Sequence, residues 1–269
     1  MSKSFRPILI AAGLAAALFT SPVQAAKCGN TSAGFNAWKA AFAKEAAKAG
    51  VGKRGLAALA ATSYAKRTIA ADRNQKSFHY SLAKFMQVRG ADTIVAMGRK
   101  RIAKNPTFYA NLEKRYGVPA GVIVAIHGME TGFGRGMGKS NLLSAAATLA
   151  YDCRRSDFFV PHIIAGLKLV DQGSVSSKSI GAKHGEIGHT QFLLGNVIKY
   201  GVDGNGDGRL DMTNMTDALY STANYLRQKG WKPGKGFQEG QPNFVVIKQW
   251  NAAGVYQKAI AIMAGKIER

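Results

Sequence analysis

Glu130 is the residue of this chain whose surroundings best suit acid–base chemistry. It follows an apolar stretch from Val122 to Met129 with the spacing of a buried helix, and Gly132 supplies a helix stop signal. Apolar surroundings and a helix C-terminus both disfavour negative charge, so we expect both to raise the pKa of this carboxyl. A carboxyl that stays protonated near neutral pH can serve as the general acid in glycoside cleavage. Arg135 acts in the opposite direction, and a solvated surface Glu is the alternative.

Three further acids are candidates to share a site with Glu130. Asp152 and Asp157 belong to a charged stretch that also holds two arginines, which is more typical of an ion-pair network. Glu186 lies in a glycine-flanked loop. It could act as a second carboxylate, because hydrolases of glycosides generally use two, or it could pair with Lys183.

An acidic cluster that begins at residue 203 has the pattern of a calcium-binding loop. Its oxygen-bearing side chains alternate along the chain with Gly at the sixth position, as in the opening of an EF-hand. Position twelve holds Asn214 instead of the bidentate Glu, and an Asp/Gly turn is the alternative. The chain has only 15 Asp and Glu against 37 Lys and Arg, so such clustering needs a reason. We expect a structural calcium ion, with these ligands: the side chains of Asp203, Asn205 and Asp207 and the carbonyl of Arg209.

The first 25 residues have the pattern of a cleaved secretory signal. A short positive head precedes an apolar run at 8–20, which is too short to span a bilayer because a span needs about 20 residues. Small residues then lead to a cleavage site after Ala25. An N-terminal core helix is the alternative. Lys27 stands where a lipoprotein signal needs a small residue before Cys28, so we expect a periplasmic protein without a lipid anchor.

Cys28 and Cys153 are the only cysteines of the chain, and both remain after that cleavage. Disulfides persist in oxidising compartments outside the cytosol. We therefore expect one bridge between them, with two unpaired thiols as the alternative.

The formal net charge of +22 is extreme. In a cytosolic protein it would suggest a nucleic-acid partner first. For an exported protein the anionic partners are envelope polymers, anionic lipids and the carboxylates of wall peptides, and the field attracts all of them without selecting one. We expect no nucleic-acid partner and a peripheral association with anionic envelope surfaces.

The elements that must position these residues are predicted to be mainly α, with little sheet. Apolar residues recur at helical spacing from Phe35 to Ala46. Further helical patterns cover 119–131, 145–151, 158–170, 218–227 and 255–267. Residues 181–188 are predicted to be a loop, and 244–247 could begin either a strand or a helix.

Several separated motifs resemble the membrane-bound lytic transglycosylase B family of bacterial murein enzymes. In chain order these motifs lie at 72–75, 116–119, 130–135, 152–155, 188–192, 230–231 and 250–251. The resemblance covers nearly the whole chain after the signal. It implies a lysozyme-like helical core, with the catalytic Glu in a deep groove, and a flanking all-helical region formed by both chain ends.

The resemblance also implies a division of the chain. The segments are a signal peptide at 1–25, an N-terminal helical region at 26–112, a lysozyme-like core at 113–230 with the calcium loop at 203–217, and a C-terminal segment at 231–269. Larger relatives carry a β-rich lobe between the Gly-Trp turn and the closing aromatic-Asn motif. Here only residues 232–249 separate Trp231 from Trp250, so we expect a compact form with a more open groove.

The resemblance further implies roles for individual residues. Glu130 would be the single acid and base that cleaves between N-acetylmuramic acid and N-acetylglucosamine and leaves 1,6-anhydro ends. The substrate-binding residues implied are Gln191, Phe192, Trp250, Asn251 and Tyr256. Core packing is the alternative for Phe192 and Tyr256. Asp217 stands where the family places a later calcium ligand, and Ala182 replaces a Ser that contacts substrate in some relatives.

Two other functions stay open at this point. One is a muramidase that uses Glu130 together with Glu186. The other is a non-catalytic, cationic wall-binding protein that keeps the fold. In each case the expected partner is the glycan strand of peptidoglycan, bound by a monomer.

Overall fold

The computed structural model describes residues 26–74 and 80–269. The predicted signal peptide lies outside the described residues, as does Gln75 of the motif at 72–75. No helix within the described ranges has the length and apolar character needed to cross a membrane.

The first half of the described chain is a series of helices with short connections. They are α1 (Phe35–Lys48), α2 (Lys53–Ala60), α3 (Lys66–Asp72), α4 (Leu82–Arg89), α5 (Ala91–Lys104), α6 (Pro106–Tyr116) and α7 (Ala120–Thr131). Local signals set several of their ends. Pro106 opens α6, where a missing N–H costs nothing. Gly132 ends α7 with a left-handed φ of 56°.

The second half alternates helices with two very short antiparallel pairs. The helices are α8 (Leu142–Tyr151), α9 (Ser156–Gln172), α10 (Leu194–Tyr200), α11 (Met215–Gln228), α12 (Phe244–Trp250) and α13 (Gly254–Ile267). The strands are β1 (Ser140–Asn141), β2 (Ile180–Gly181), β3 (Glu186–Ile187) and β4 (Phe192–Leu193). β1 pairs with β2, and β3 pairs with β4 so that Glu186 faces Leu193. The mainly α prediction is confirmed.

Two local predictions meet a more specific outcome. The predicted loop at 181–188 begins with the last residue of β2 and contains β3. Two-residue strands leave no period in a sequence, so the pattern could not indicate them. The ambiguous segment at 244–247 opens helix α12.

Helix α7 lies at the centre of the fold. Each of its residues is buried except Glu130, which is partly buried. It packs against α5, α6, α11 and α13. The last helix, α13, also packs against α4 and α5, so the chain end lies on helices from the first half. The predicted segment boundary at 112/113 falls inside the continuous helix α6, and the segment division itself stays a prediction.

A disulfide joins Cys28 to Cys153 across 125 residues of sequence. The Gly29 amide donates to the Tyr151 carbonyl beside it, at 2.9 Å. The start of the described chain is thereby fixed to the connection between α8 and α9.

Candidate active site

A groove of about 760 Å³ runs past the C-terminal end of α7. Its wall is built by residues from α3, α4, α7, α9, α13 and the segment between β2 and β4. Five of the residues singled out in the sequence line it: Glu130, Glu186, Gln191, Asn251 and Tyr256. The fold thus gathers residues that lie up to 126 positions apart.

Two donors from the C-terminal segment hold the Glu130 carboxyl. Tyr256 Oη donates to Glu130 Oε1 at 2.6 Å, and Trp250 Nε1 donates to the same oxygen at 3.0 Å. Among the described residues no side chain or amide donates to Oε2. One oxygen is anchored, and the other is left for a ligand in the groove.

The electrostatics of Glu130 agree with the expectation from its sequence position. Burial raises the pKa of its carboxyl, and the hydrogen bonds from Tyr256 and Trp250 and the charge of Arg89 act in the opposite direction. The opposing cation is Arg89 and not the predicted Arg135, whose guanidinium bonds to the Gly132 carbonyl at 3.0 Å. The pKa of the Tyr256 hydroxyl is raised well above its usual value by burial and by Glu130, so it stays a donor.

Hydrogen bonds between Thr131 and the residues His189 and Gly134 fix the turn that follows α7. Thr131 Oγ1 donates to the His189 carbonyl at 2.7 Å and accepts from the Gly134 amide at 2.8 Å. His127 Nε2 and His189 Nδ1 lie 2.9 Å apart. Burial lowers the pKa of His127 to about 3, so its ring is neutral. Gly134 has a φ of 86°, and a Cβ there would come within 2.4 Å of the His189 ring, so this position needs glycine.

Glu186 enters the same groove from β3. Burial, followed by the charge of Glu130, raises the pKa of its carboxyl to about 8, and Arg155 acts against this rise. It forms no ion pair with Lys183 within the described residues.

The remaining predicted substrate residues differ in what they present to the groove. Gln191 has a left-handed φ of 53°, a conformation that is uncommon for a residue other than glycine. Its Nε2 donates to the Gly188 carbonyl at 2.7 Å, which directs the amide. Asn251 also lines the groove. Phe192 is 2% exposed and packs edge-on against Trp250, with ring centroids 5.2 Å apart. This position agrees with core packing, the alternative given for Phe192, in which its ring supports that of Trp250.

Other residues that line the groove include Arg89, Arg155, Phe158 and His184, to which the sequence assigned no role in the site. Phe158 is 48% exposed, which is unusual for a large apolar side chain. The Arg155 guanidinium lies 5.1 Å from its ring centroid. The helical period predicts that Phe158 lies on a helix, but it does not show that the helix borders a groove. Distant segments form the rest of that groove, so only the resemblance, through the motif at 152–155, points to this part of the chain.

The charged stretch at 152–155 forms the predicted ion-pair network. Asp152 accepts from Arg73 at 2.8 Å, and Asp72 pairs with Arg154 and with Arg155, the latter at 2.8 Å. Asp157 is exposed in the first turn of α9 and makes none of these pairs. The network ties α3 to the start of α9 at the groove wall.

The predicted calcium loop folds around Asp217. Its fully buried carboxylate accepts the amides of Gly204, Asn205 and Asp211 at 3.0, 3.3 and 2.9 Å. No Lys or Arg of the described chain forms an ion pair with it.

The outer part of the loop is held by its own amides. Asp203 accepts from the amides of Gly206 and Gly208, and Gly208 has a left-handed φ of 83° at the sixth position of the loop. Across the described ranges no group of three or more His, Cys, Asp or Glu side chains is gathered closely enough to hold a metal ion. The donor set is oxygen-rich and suits calcium, but these carboxylates are not drawn together.

Comparisons with known proteins agree with this architecture. Membrane-bound lytic murein transglycosylase B of Escherichia coli (strain K12) is 37% identical over 121 residues, which are 44% of this chain and 34% of that protein. The match thus spans about a third of that relative's length.

Two solved structures share the fold. That of SltB3 from Pseudomonas aeruginosa, in complex with NAG-anhNAM-pentapeptide, superposes with a TM-score of 0.79 at 27% identity over 87% of this chain and 79% of that one. That of the Escherichia coli lytic transglycosylase Slt35, in complex with calcium, gives a TM-score of 0.76 at 21% identity over 92% and 98%.

The family model described as the transglycosylase SLT domain matches residues 34–241. This range holds most of the described chain, including Glu130, Glu186 and Gln191. The match covers both the helix that carries Glu130 and the strand pair that faces it. The chain therefore belongs to the transglycosylase SLT domain family.

Proposed function

We propose that this protein is a peptidoglycan lytic transglycosylase in which Glu130 is the single acid and base. The observation that carries the proposal is the state of the Glu130 carboxyl. It lies in the groove with one oxygen held by Tyr256 and Trp250 and with a raised pKa. Such a carboxyl is protonated more readily than a surface Glu and is fixed in orientation, as general acid catalysis requires.

The chemistry proceeds in two proton transfers. Protonated Glu130 first donates to the glycosidic oxygen between N-acetylmuramic acid and N-acetylglucosamine, and the bond to C1 breaks. The Glu130 carboxylate then takes the proton of the muramic acid 6-hydroxyl, whose oxygen attacks C1 of its own ring. The products are a free N-acetylglucosamine hydroxyl and a 1,6-anhydro end, and Glu130 is protonated again.

Family membership supports this reaction class, and so do the names of the relatives. The curated relative is called a lytic murein transglycosylase, and the SltB3 structure contains an anhydro-muramic peptide. We propose that the glycan strands of peptidoglycan are the partner of the present groove as well.

The muramidase alternative requires Glu186 to act as a second catalytic carboxylate. An inverting or retaining hydrolase needs a second carboxylate in its ionised form as base or nucleophile. With a pKa of about 8, Glu186 is mostly protonated at neutral pH and is therefore poorly suited to that role there. A wall-binding protein without catalysis would have no need for the two donors that orient Glu130.

We also propose that the protein acts in the periplasm after cleavage of the signal at 1–25. The disulfide between Cys28 and Cys153 supports an oxidising compartment. The net charge of +22 supports peripheral association with anionic envelope surfaces. Repulsion between molecules of this charge also supports a monomer.

A structural calcium ion in the loop at 203–217 is part of the proposal. The ligands would be the side chains of Asp203, Asn205, Asp207 and Asp217 and the carbonyl of Arg209. The buried Asp217 carboxylate accepts three amides but has no basic partner among the described residues, and burying a charge is costly. A cation in the loop would offset that cost and stabilise the segment behind the groove.

The test of the catalytic proposal is Glu130→Gln. Gln keeps the shape and can still accept from Tyr256 and Trp250, but it cannot transfer a proton. We expect cleavage of purified peptidoglycan to fall by a factor of about a hundred to ten thousand, while binding in a pull-down assay is retained.

The matched control is Glu239→Gln. Its carboxylate is 64% exposed and pairs with Lys258 on the surface. It should leave both cleavage and binding unchanged. Cleavage that persists in the Glu130→Gln protein would show that another residue is the acid.

A further inference from the structure

Glu186 brings a second carboxyl group into the groove of Glu130. Both side chains line the main groove, and both also line a smaller cavity of about 90 Å³. Glu130 comes from the last turn of α7, and Glu186 comes from β3. The backbone of β3 is fixed because Glu186 pairs with Leu193 of β4 and its carbonyl accepts the Ala182 amide at 2.8 Å. The backbone positions of Glu130 and Glu186 are therefore both fixed within regular secondary structure.

The two carboxyls receive unequal support from the protein. Glu130 Oε1 accepts hydrogen bonds from Tyr256 and Trp250. Within the described residues no side chain or amide donates to the Glu186 carboxyl. Hydrogen bonds to the charged form stabilise it, so a single negative charge in the groove is more stable on Glu130.

The other titratable and charged groups around the pair do not remove this asymmetry. They are Arg89 on α4, Arg155 at the start of α9, Lys183 and His184 between β2 and β3, Tyr225 on α11 and Tyr256 on α13. Arg155 is the cation that acts on Glu186, but it already pairs with Asp72 at 2.8 Å. Burial lowers the pKa of His184, so its ring adds no charge at neutral pH.

Two carboxyls that are both buried in the wall of one groove do not readily ionise together. The first proton lost leaves a charge on Glu130, and that charge is the second cause, after burial, of the raised pKa of Glu186. Between these two steps the pair holds one proton, up to a pH of about 8.

We propose that Glu186 shares this proton with Glu130 across the groove and returns it for the acid step. The inference rests on the proposed function and assigns a second residue to the same site. No hydrogen bond joins the two carboxyls among the described residues, so the proton exchanges through the solvent of the groove. For cleavage an O–H bond of Glu186 breaks, an O–H bond to Glu130 forms, and the negative charge moves to Glu186. The pair gains and loses no proton, and Glu186 acts through Glu130 without touching the scissile bond.

The consequence is a wider pH range of activity. With Glu186 present, a proton stays available to Glu130 until the pair loses it near pH 8. With Gln at position 186, the groove keeps a proton only while Glu130 keeps its own. Glu130 has the two donors that favour its anion, so it loses that proton at lower pH.

The experiment is the pH dependence of kcat/KM on purified peptidoglycan strands for the wild type and for Glu186→Gln. The variant should have the descending alkaline limb at least about one pH unit lower than the wild type, which is about a fivefold loss at pH 8. Activity at pH 5 should stay within about threefold of the wild type, because burial raises the pKa of Glu130 and favours its protonated form at acid pH. Glu239→Gln is the control and should keep the wild-type profile.

An unchanged alkaline limb in Glu186→Gln would overturn proton sharing. So would an equal loss at every pH, because Glu186 would then act on the substrate directly. Product analysis separates this failure from that of the proposed function. If the wild type still forms 1,6-anhydro ends, only the proposed role of Glu186 is wrong. If the wild-type products carry added water, the transglycosylase proposal is wrong.

A second measurement does not depend on the folding of the Glu186 variant. In the full protein with Glu130→Gln, the pKa of Glu186 is measured by NMR titration of isotope-labelled glutamate carboxyls. Removal of the Glu130 charge should lower that pKa relative to the wild type. An unchanged pKa would show that the two carboxyls do not interact and would overturn the proposal.

Discussion

The Glu130 carboxyl is held between two opposing influences. Burial favours its neutral form, while the Tyr256 hydroxyl and the Trp250 indole favour the anion. The mechanism needs both forms in succession, acid first and base second. A group held near the balance between them serves both steps better than one fixed in either.

Tyr256→Phe tests this balance at the level of a single atom. Loss of the hydroxyl removes the donor 2.6 Å from Glu130 Oε1, so the pKa of Glu130 should rise. We expect kcat to fall by about tenfold or more, because the carboxylate is less well oriented and less stable as a base. The pKa is checked by NMR titration and kcat by turbidity loss of peptidoglycan.

The control for that change is Tyr109→Phe, which removes a buried hydroxyl on α6 outside the groove. It should leave the pKa of Glu130 and kcat as in the wild type. A Tyr256→Phe protein with wild-type kcat would mean that the hydrogen bond is only structural.

At this scale the sequence indicated Glu130 but not its neighbours. The apolar helix and Gly132 are local signals, so the position of Glu130 at a helix end was predictable. Trp250 and Tyr256 lie 120 and 126 residues further along the chain, and only a resemblance named them. The sequence did not indicate Arg89 and Phe158 as site residues, because a groove between distant segments leaves no pattern in either segment.

Among the elements, the turn after α7 is linked to the acidic loop through His189. The His189 amide donates to the Met212 carbonyl at 3.0 Å, and its carbonyl accepts from Thr131. The loop at 203–217 and the turn that follows Glu130 are therefore connected by hydrogen bonds through one residue. Helices α7, α11 and α13 were predictable from their period, whereas the two-residue strands that carry Glu186 and Phe192 were not.

Asp207→Ala tests the calcium proposal for this loop. Asp207 is exposed, and among the described residues it accepts only from Asn205 and the Arg209 amide, so its loss disturbs little besides a bound ion. Calcium at about a hundred times its Kd should stabilise the wild type by about 2.7 kcal/mol. The variant should gain much less in thermal denaturation.

With chelator present, the wild type and Asp207→Ala should unfold at nearly the same temperature. Glu239→Ala is the control and should respond to calcium as the wild type does. A wild type whose melting temperature does not change on addition of calcium would remove the metal from the account.

In the whole molecule, both ends of the described chain serve the groove. The disulfide from Cys28 to Cys153 fixes the chain start beside the ion-pair network at the groove wall. The last helix, α13, lies against α7 and brings Tyr256 to Glu130. On the proposed function, the excess of basic residues would attract an anionic wall polymer, but the charge alone would not select the bond that is cleaved.

The most direct test of the account is mass spectrometry of the products that the protein releases from purified peptidoglycan. A single acid and base at Glu130 predicts products that end in 1,6-anhydro-muramic acid, with no water added. The Glu130→Gln protein should release none of them. Reducing ends that carry one added water would contradict the account and would show that the groove hydrolyses its substrate.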